Sequence, residues 1–255
     1  SAPELRRYWD LPAPPGPGEL VSCERRAVEE LRALLEDSVR IRLRADVPVG
    51  PYLSGGLDST AATALVRTVT DAPLQTYSVA FADADYDERR EQQLAVAALG
   101  TTHHQIEVGY DDIALALPRV VAHAEKPLLR TAPAPLYLLA QLVRSHGTKV
   151  VLTGEGADEV FGGYDIFKET KIRAWWAREP QSQRRPALLR RLYPFAPGAD
   201  ARAFAFVEAF YREGIDRTDD PAFSHRPTWR NGLKNRFFYG DALRARLSGY
   251  DPQDE

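Results

Sequence analysis

The chain has 255 residues, of which 44% are hydrophobic, and this is enough to bury the core of one large domain or of a domain with a subdomain. A formal net charge of -3 at pH 7 argues against a nucleic-acid surface as the main function, because neutralising phosphates requires a clustered excess of lysine and arginine. The single cysteine, Cys23, cannot form an internal disulfide or a cysteine cluster for zinc, so we expect a reducing, cytoplasmic location.

The N-terminal sequence also bears on targeting. The start "SAPELRRYWD" lacks the apolar core of a signal peptide, and no run in the chain approaches the roughly 20 apolar residues of a membrane helix. We therefore expect no membrane partner. The sequence contains no methionine, even at position 1, which predicts that the chain is a processed or excised piece of a longer protein.

Residues Leu11 to Leu20 are rich in proline and glycine, so this stretch is expected to be a linker or an extended arm. From Glu24 to Arg44 the apolar positions follow helical spacing with charged residues between them, which predicts an amphipathic helix.

Four short apolar runs then predict buried strands, at residues 49–53, 75–81, 104–108 and 149–153. Helical patterns separate them, at Leu57–Thr70, Asp87–Leu99 and about Pro135–His146. This alternation is typical of parallel βαβ units, so the predicted fold class is α/β, doubly wound around a mainly parallel sheet. After Tyr164 the strand patterns stop, and the remainder predicts a helical C-terminal extension.

The loop "SGGLDST" follows the first predicted strand, and ligands of such sheets sit outside the carboxyl ends of the strands. Gly55 and Gly56 would let the backbone approach an anion, while the helix from Leu57 would point free N–H groups at it. Asp58, a carboxylate beside a phosphate, makes sense if Mg²⁺ bridges the two. The alternative is a Gly-Gly turn in which Asp58 only favours the positive end of the helix dipole.

The stretch lacks the lysine of a Walker loop. Instead, "SGGLDS" resembles the PP-loop of ATP pyrophosphatases, which hold the β,γ-pyrophosphate of ATP while a substrate oxygen attacks the α-phosphorus. The later run "VVLTGEGADEVFGGYD" (150–165) resembles the second signature of the asparagine synthetase family. "YWDL", "DVPVG", "GTTHH" and "AEKPLLRTAPAPLYLL" are also similar to the synthetase domain of that family.

The resemblance implies an adenine-nucleotide α-hydrolase-like fold, ATP and Mg²⁺ as cofactors, and a domain order. An arm would span residues 1–22, the ATP pyrophosphatase domain 23–170, and an incomplete helical extension 171–255. The implied activity is a ligase that makes asparagine from aspartate and ammonia through β-aspartyl-AMP. Expected partners are ATP, a carboxylic acid such as aspartate, ammonia, a glutaminase domain in the full-length protein and, as an option, a second copy in a homodimer.

The resemblance also implies residue roles. Ser54, Gly55, Gly56, Asp58 and Ser59 would form the pyrophosphate and Mg²⁺ loop, and Asp158 would be a second metal ligand. Leu53, Val79 and Gly154 would line the AMP moiety. Glu155 would be the catalytic base that accepts a proton from attacking ammonia. The weaker candidates for substrate contacts are Glu125, Arg130 and Glu159, because a solvated loop pair or the helix dipole explains them equally well.

Two departures from the family pattern shape the expectation for this chain. Full-length relatives begin with an amidohydrolase domain whose N-terminal cysteine is the nucleophile, whereas this chain begins at Ser1 without that domain, so we expect it not to hydrolyse glutamine. The downstream lysine that neutralises charge as the adenylate forms is also missing, so we expect weak ATP binding and little asparagine synthesis.

Other functions stay open at this point. An enzyme that amidates a different carboxylic acid would keep both motifs. A tRNA-modifying PP-loop enzyme is expected to have a basic face and usually catalytic cysteines. A non-catalytic nucleotide-binding domain would not need the carboxylates of Asp58, Glu155 and Asp158, so their presence argues against it. We expect His103 and His104 to be structural. The arginines of residues 178–195 suit a solvated helix face or a partner surface.

Overall fold

The computed structural model describes residues 4–10, 21–192 and 201–250. The predicted linker at 11–20 lies outside these residues. By its internal packing the chain divides into two compact units, residues 1–155 and 156–255. The expected domain boundary near residue 170 stays a prediction.

The first unit alternates helices and strands. Its helices are α1 (Glu24–Arg42), α2 (Leu57–Val69), α3 (Arg89–Leu99), α4 (Tyr110–Ala124) and α5 (Pro133–Ser145). Its strands are β1 (Val49–Pro51), β2 (Gln75–Phe81), β3 (Thr102–Val108) and β4 (Val150–Leu152).

The second unit, in the residues that the structure describes, is helical. It contains α6 (Ala157–Phe161), α7 (Asp165–Ala177), α8 (Ala201–Arg212), α9 (Arg226–Leu233) and α10 (Asp241–Arg246), with 3₁₀ turns at Pro186–Arg191 and Lys234–Phe238. The predicted helical extension is therefore confirmed. None of the described helices is long and apolar enough to cross a membrane.

All strand pairing in the described chain is parallel. β1 pairs with β4, starting at Val49 opposite Val150, and β2 pairs with β3 over their full lengths. A single parallel bridge between Tyr52 and Tyr77 joins the two ladders. The resulting strand order is β3-β2-β1-β4. β2 and β3 thus lie on one side of β1, and β4 lies on its other side.

Helices cover both faces of these strands. Leu152 packs with α1 and α2 through Val39 and Val66. Its neighbour Val151 packs on the side of Tyr77 and the α5 residue Leu139. Because successive residues of a strand point to opposite faces, α1 and α2 lie on one face and α5 on the other. The doubly wound α/β prediction is confirmed.

Helix α1 has the sequence features of an exposed amphipathic helix. The pairs Arg26–Glu30 (2.6 Å) and Arg32–Glu36 (2.8 Å) join residues one turn apart, which supports the helix by a few tenths of a kcal/mol each. Its N-cap, Cys23, is exposed and unpaired with any other thiol.

The crossover from β3 to β4 holds two helices where the sequence patterns predict one. α4 begins where the carboxylate of Asp112 accepts a hydrogen bond from the Gly109 N–H at 2.8 Å. Pro118 lies inside this helix and obscures its pattern in the sequence. α4 packs on α5 around Ala116, Val120 and Ala134.

Candidate active site at the carboxyl ends of the strands

The loop after β1 is held closed by its own serines. The Oγ atoms of Ser54 and Ser59 lie 2.9 Å apart, and Ser59 Oγ also accepts from the Ser54 N–H and donates to the Gly56 carbonyl. Leu53, which leads into the loop, is fully buried. These hydrogen bonds tie the loop to the first turn of α2.

Gly55 is required by the shape of this loop. Its φ is +87°, in the left-handed region that glycine tolerates. A Cβ at this position would lie 2.7 Å from the backbone nitrogen of Gln92 and 2.8 Å from the Cβ of Glu91. The loop therefore rests directly on the backbone at the start of α3.

The two sequence motifs meet within the first unit. A Cβ on Gly154 would lie 2.9 Å from the Cβ of Asp58 and 3.0 Å from the Ser59 nitrogen, so the turn after β4 sits against the first turn of α2. The parallel pairing of β1 with β4 causes this approach, because both motifs follow the carboxyl ends of adjacent strands. The strands that lead to Leu53 and Thr153 are therefore neighbours in the sheet.

Glu155 follows Gly154 at the end of the first unit. Its side chain is exposed, and its N–H donates to Thr153 Oγ1 at 3.4 Å. Asp58 is half-buried. The chain thus brings a carboxylate from each motif to the same edge of the sheet.

The backbone of Val79 also lies at this edge. Leu53 donates its N–H to the Tyr77 carbonyl at 2.9 Å, so β2 passes beside the start of the loop. Val79 comes two residues later on the same strand, and its carbonyl accepts a hydrogen bond from Gln92 Nε2 at 2.9 Å.

Asp158 and Glu159 belong to the second unit. The N–H groups of Gly162 and Gly163 both donate to the Asp158 carbonyl, and Gly163 lies so close to the Asp158 carboxylate that a side chain there would collide with it. Glu159 accepts a hydrogen bond from the Tyr164 hydroxyl at 2.9 Å. This bond gives Glu159 a structural role within its own unit.

Glu125 and Arg130 flank an exposed turn. Glu125 is the only non-glycine residue of the described chain with positive φ, at 54°, and it caps α4 in the left-handed conformation. Both side chains are exposed. Among the described residues no ion pair joins them.

His103 is held in a structural network, as expected. Its Nε2 lies 3.0 Å from Ser78 Oγ and its Nδ1 lies 3.0 Å from Thr76 Oγ1. Burial lowers the pKa of His103, with a smaller contribution from His104.

Sequence patterns missed Gln92, a residue that contacts two parts of this site. It is 1% exposed, although glutamine is usually a surface residue. The sequence feature that could have indicated its burial is its helical spacing from apolar residues of α3: Gln92 lies three residues before the buried Ala95 and seven before Leu99.

The described residues contain no group of three or more His, Cys, Asp or Glu side chains that could hold a metal ion by themselves. Mg²⁺ bound with ATP needs only one or two protein carboxylates, since phosphates and water supply the remaining oxygens. Asp58, two residues after Gly56, is chemically suited to that task.

The model of the asparagine synthase family matches residues 30–254. The chain belongs to the asparagine synthase family. A putative asparagine synthetase of Mycobacterium tuberculosis is 42% identical over 142 residues, which is 55% of this chain and 21% of that protein. Asparagine synthetase B of Escherichia coli is 38% identical over 54% of this chain and 27% of its own length.

A relative with a different name covers more of the chain. Amidase chyE of Penicillium rubens is 32% identical over 72% of this chain and 30% of its own length. A solved NH3-dependent NAD synthetase from Campylobacter jejuni aligns with 83% of this chain and 96% of that chain at 14% identity and a TM-score of 0.42. The chain spans about a fifth to a third of the length of the curated relatives it matches.

Proposed function

We propose that this member of the asparagine synthase family takes part in ATP-dependent C–N ligation, forming an amide from a carboxylic acid and ammonia with release of AMP and pyrophosphate. Aspartate is the proposed acid and β-aspartyl-AMP the proposed intermediate. The observation that carries the proposal is the packing of Gly154 against Asp58 and Ser59, which joins the two motifs at the carboxyl ends of β1 and β4.

The proposed roles follow the chemistry of the loop. The backbone at Gly55 and Gly56 and the hydroxyls of Ser54 and Ser59 bind the pyrophosphate, because a helix N-terminus favours an anion. Leu53, Val79 and Gly154 line the AMP moiety. Asp58, in the first unit, is the proposed ligand of Mg²⁺. Asp158 is the proposed second ligand, on the basis of the family resemblance. Bound Mg²⁺ would neutralise charge on the phosphate oxygens.

Glu155 is the proposed base. An attacking ammonia must lose a proton to become an amide nitrogen, and a carboxylate can accept that proton. The exposed side chain of Glu155 stands one residue from Gly154, next to the site proposed for the acyl adenylate. Glu125, Arg130 and Glu159 are retained as weaker candidates for contacts with the acid.

Glu155→Gln tests this role in the full-length protein. The variant keeps the shape of the side chain and removes the base, so amide formation should fall by about a hundredfold or more. The acid-dependent exchange between ATP and pyrophosphate, which reports on adenylation alone, should change by less than about threefold. Glu29→Gln, an exposed position on α1, is the control. Equal amide output from Glu155→Gln and the parent would contradict the assignment.

The amidase relative favours a second candidate, in which a different carboxylic acid is amidated. Both motifs handle ATP and ammonia, so neither specifies the acid. A panel of acids in the exchange assay separates the two: exchange with aspartate supports asparagine synthesis, and exchange with another acid alone supports the second candidate. If none of the acids in the panel supports exchange between ATP and pyrophosphate, the proposed function is overturned.

A further inference from the structure

β1 ends at Pro51, and the last backbone hydrogen bond from its side to β2 is the one from Leu53 to Tyr77. The Tyr77 carbonyl points towards β1, since it accepts the Leu53 N–H. Both backbone groups of a strand residue point to one side, and the side repeats every second residue. Val79 therefore directs its N–H and C=O to the same edge, past Pro51 where β1 ends.

A donor next to an acceptor is the pattern that the adenine ring requires. Its N1 accepts a hydrogen bond, and its 6-amino group donates one. The Val79 N–H and C=O supply the complementary pair, provided that the peptide plane is held in place.

Gln92 holds this peptide plane from the side of α3. Its Nε2 donates to the Val79 carbonyl at 2.9 Å, and its side chain is buried. A carbonyl oxygen has two lone pairs, so this bond leaves one for a ligand.

The orientation of the Gln92 amide follows from its three hydrogen-bond partners. Its Oε1 accepts from Ser78 Oγ at 3.0 Å and from Gln105 Nε2. Because the Val79 carbonyl can only accept a hydrogen bond, the Nε2 must face it, and the Oε1 is then left facing Ser78 and Gln105.

The backbone of Gln92 meets the phosphate loop as well. Its nitrogen would lie 2.7 Å from a Cβ at Gly55, so the loop has no room to move towards α3. One buried residue thus touches both the phosphate loop and the strand edge proposed for adenine.

We propose that Gln92 is a positioning residue for ATP: it sets the Val79 peptide that recognises the adenine ring and braces Gly55 of the pyrophosphate loop. This inference rests on the proposed function, because it takes ATP to be the ligand of this edge. Gln92 acts through Val79 and makes no contact with the reacting atoms.

Titration of this chain with Mg-ATP and with Mg-ITP, whose purine carries a 6-oxo group in place of the 6-amino group, tests the inference. Gln92→Glu replaces the donor to the Val79 carbonyl with an acceptor, so the Kd for ATP should rise about tenfold. The Kd for ITP should change by less than about threefold, because its 6-oxo group cannot donate a hydrogen bond to the Val79 carbonyl. The preference for ATP over ITP should therefore fall.

Gln93→Glu makes the same chemical change one residue away on the exposed side of α3 and should keep the parent preference. Gln92→Met removes both polar groups at similar size, and it serves as the test variant if Gln92→Glu does not fold. A variant that is folded by circular dichroism and keeps the parent ratio of the two Kd values overturns the inference. An equal rise in both Kd values also overturns it, because it would mean a general structural role.

Failure of the proposed function gives a different result. In that case the parent chain binds neither nucleotide, and both the function and the role of Gln92 are rejected. If the parent chain binds ATP and the Gln92→Glu variant has the same ratio of Kd values for ATP and ITP, only the role of Gln92 is rejected.

Discussion

Gly55 shows how one residue can be required for two separate physical reasons. Its positive φ disfavours any side chain, and the nearby backbone of α3 leaves no space for one. Gly100 shares the first constraint, with φ of 60°, but a Cβ there would meet nothing within 4 Å. The pair allows conformational strain and steric collision to be measured separately.

Gly55→Ala should abolish detectable Mg-ATP binding by this chain, because the loop must move away from Gln92. Gly100→Ala should lower the free energy of unfolding by about 1 kcal/mol through strain alone and leave ATP binding unchanged. Calorimetric titration and urea unfolding measure the two effects. Parent-like ATP affinity in Gly55→Ala would show that the loop does not need its observed shape.

Residue-level patterns predicted the glycine loop and its neighbouring strands, because glycines, hydroxyls and a carboxylate after an apolar run have a local chemical meaning. They did not predict Gln92. Its importance comes from Val79, thirteen residues earlier, and from Gly55, and only the folded chain brings these residues together.

At the scale of elements, all four strands were predicted from apolar runs, with differences at their ends. β1 ends at Pro51 rather than at residue 53, although the N–H of Tyr52 still donates to Leu152 of β4 and that of Leu53 donates to Tyr77 of β2. Pairing with β2 extends β3 back to Thr102. Helix α4 was missed, since Pro118 and the acidic first turn interrupt its apolar pattern.

The β2–β3 pair should be sensitive to acid. Burial lowers the pKa of both His103 and His104 from the ordinary value of 6.5, and the ring of His146, whose centre lies 3.8 Å from that of His104, adds repulsion when charged. Below about pH 6.5 the unfolded chain therefore binds more protons than the folded chain. The stabilisation that comes from keeping His103 and His104 neutral in the folded chain is present above that pH. It is lost as the pH falls through the pKa values of these two residues in the folded chain.

Urea unfolding at about pH 7.5 and about pH 5 measures this loss. We expect the free energy of unfolding to be lower at the acidic pH, and the decrease to be smaller in His103→Gln, where one of the titrating rings is removed. His123→Gln changes an exposed ring on α4 and should behave like the parent. An identical pH dependence in His103→Gln and the parent would contradict the assignment.

At the scale of the whole molecule, the second unit has a polar centre of its own. Arg173 is 1% exposed and donates to the backbone carbonyls of Tyr211, Glu213 and Phe223. Its guanidinium also lies 4.0 Å from the centre of the Phe223 ring. One side chain on α7 thus binds three backbone carbonyls that are spread over residues 211 to 223.

Arg173→Lys should lower the free energy of unfolding of the second unit by about 2–4 kcal/mol, because a lysine cannot reach three carbonyls in a fixed fork. The fluorescence of Trp176, which is fully buried in the same unit, should report the earlier transition. Arg178→Lys, at an exposed position of that unit, is the control. Coincident fluorescence transitions in the two variants would show that Arg173 is not a structural centre.

The exposed thiol of Cys23 has a practical consequence for spectroscopy. The chain contains one cysteine and no methionine, so a thiol-reactive dye would attach at a single position, on the first unit. Three of the four tryptophans, Trp175, Trp176 and Trp229, lie in the second unit, and Trp9→Phe removes the remaining one. Energy transfer from those indoles to a dye on Cys23 would then follow the separation of the two units in solution as ATP is added.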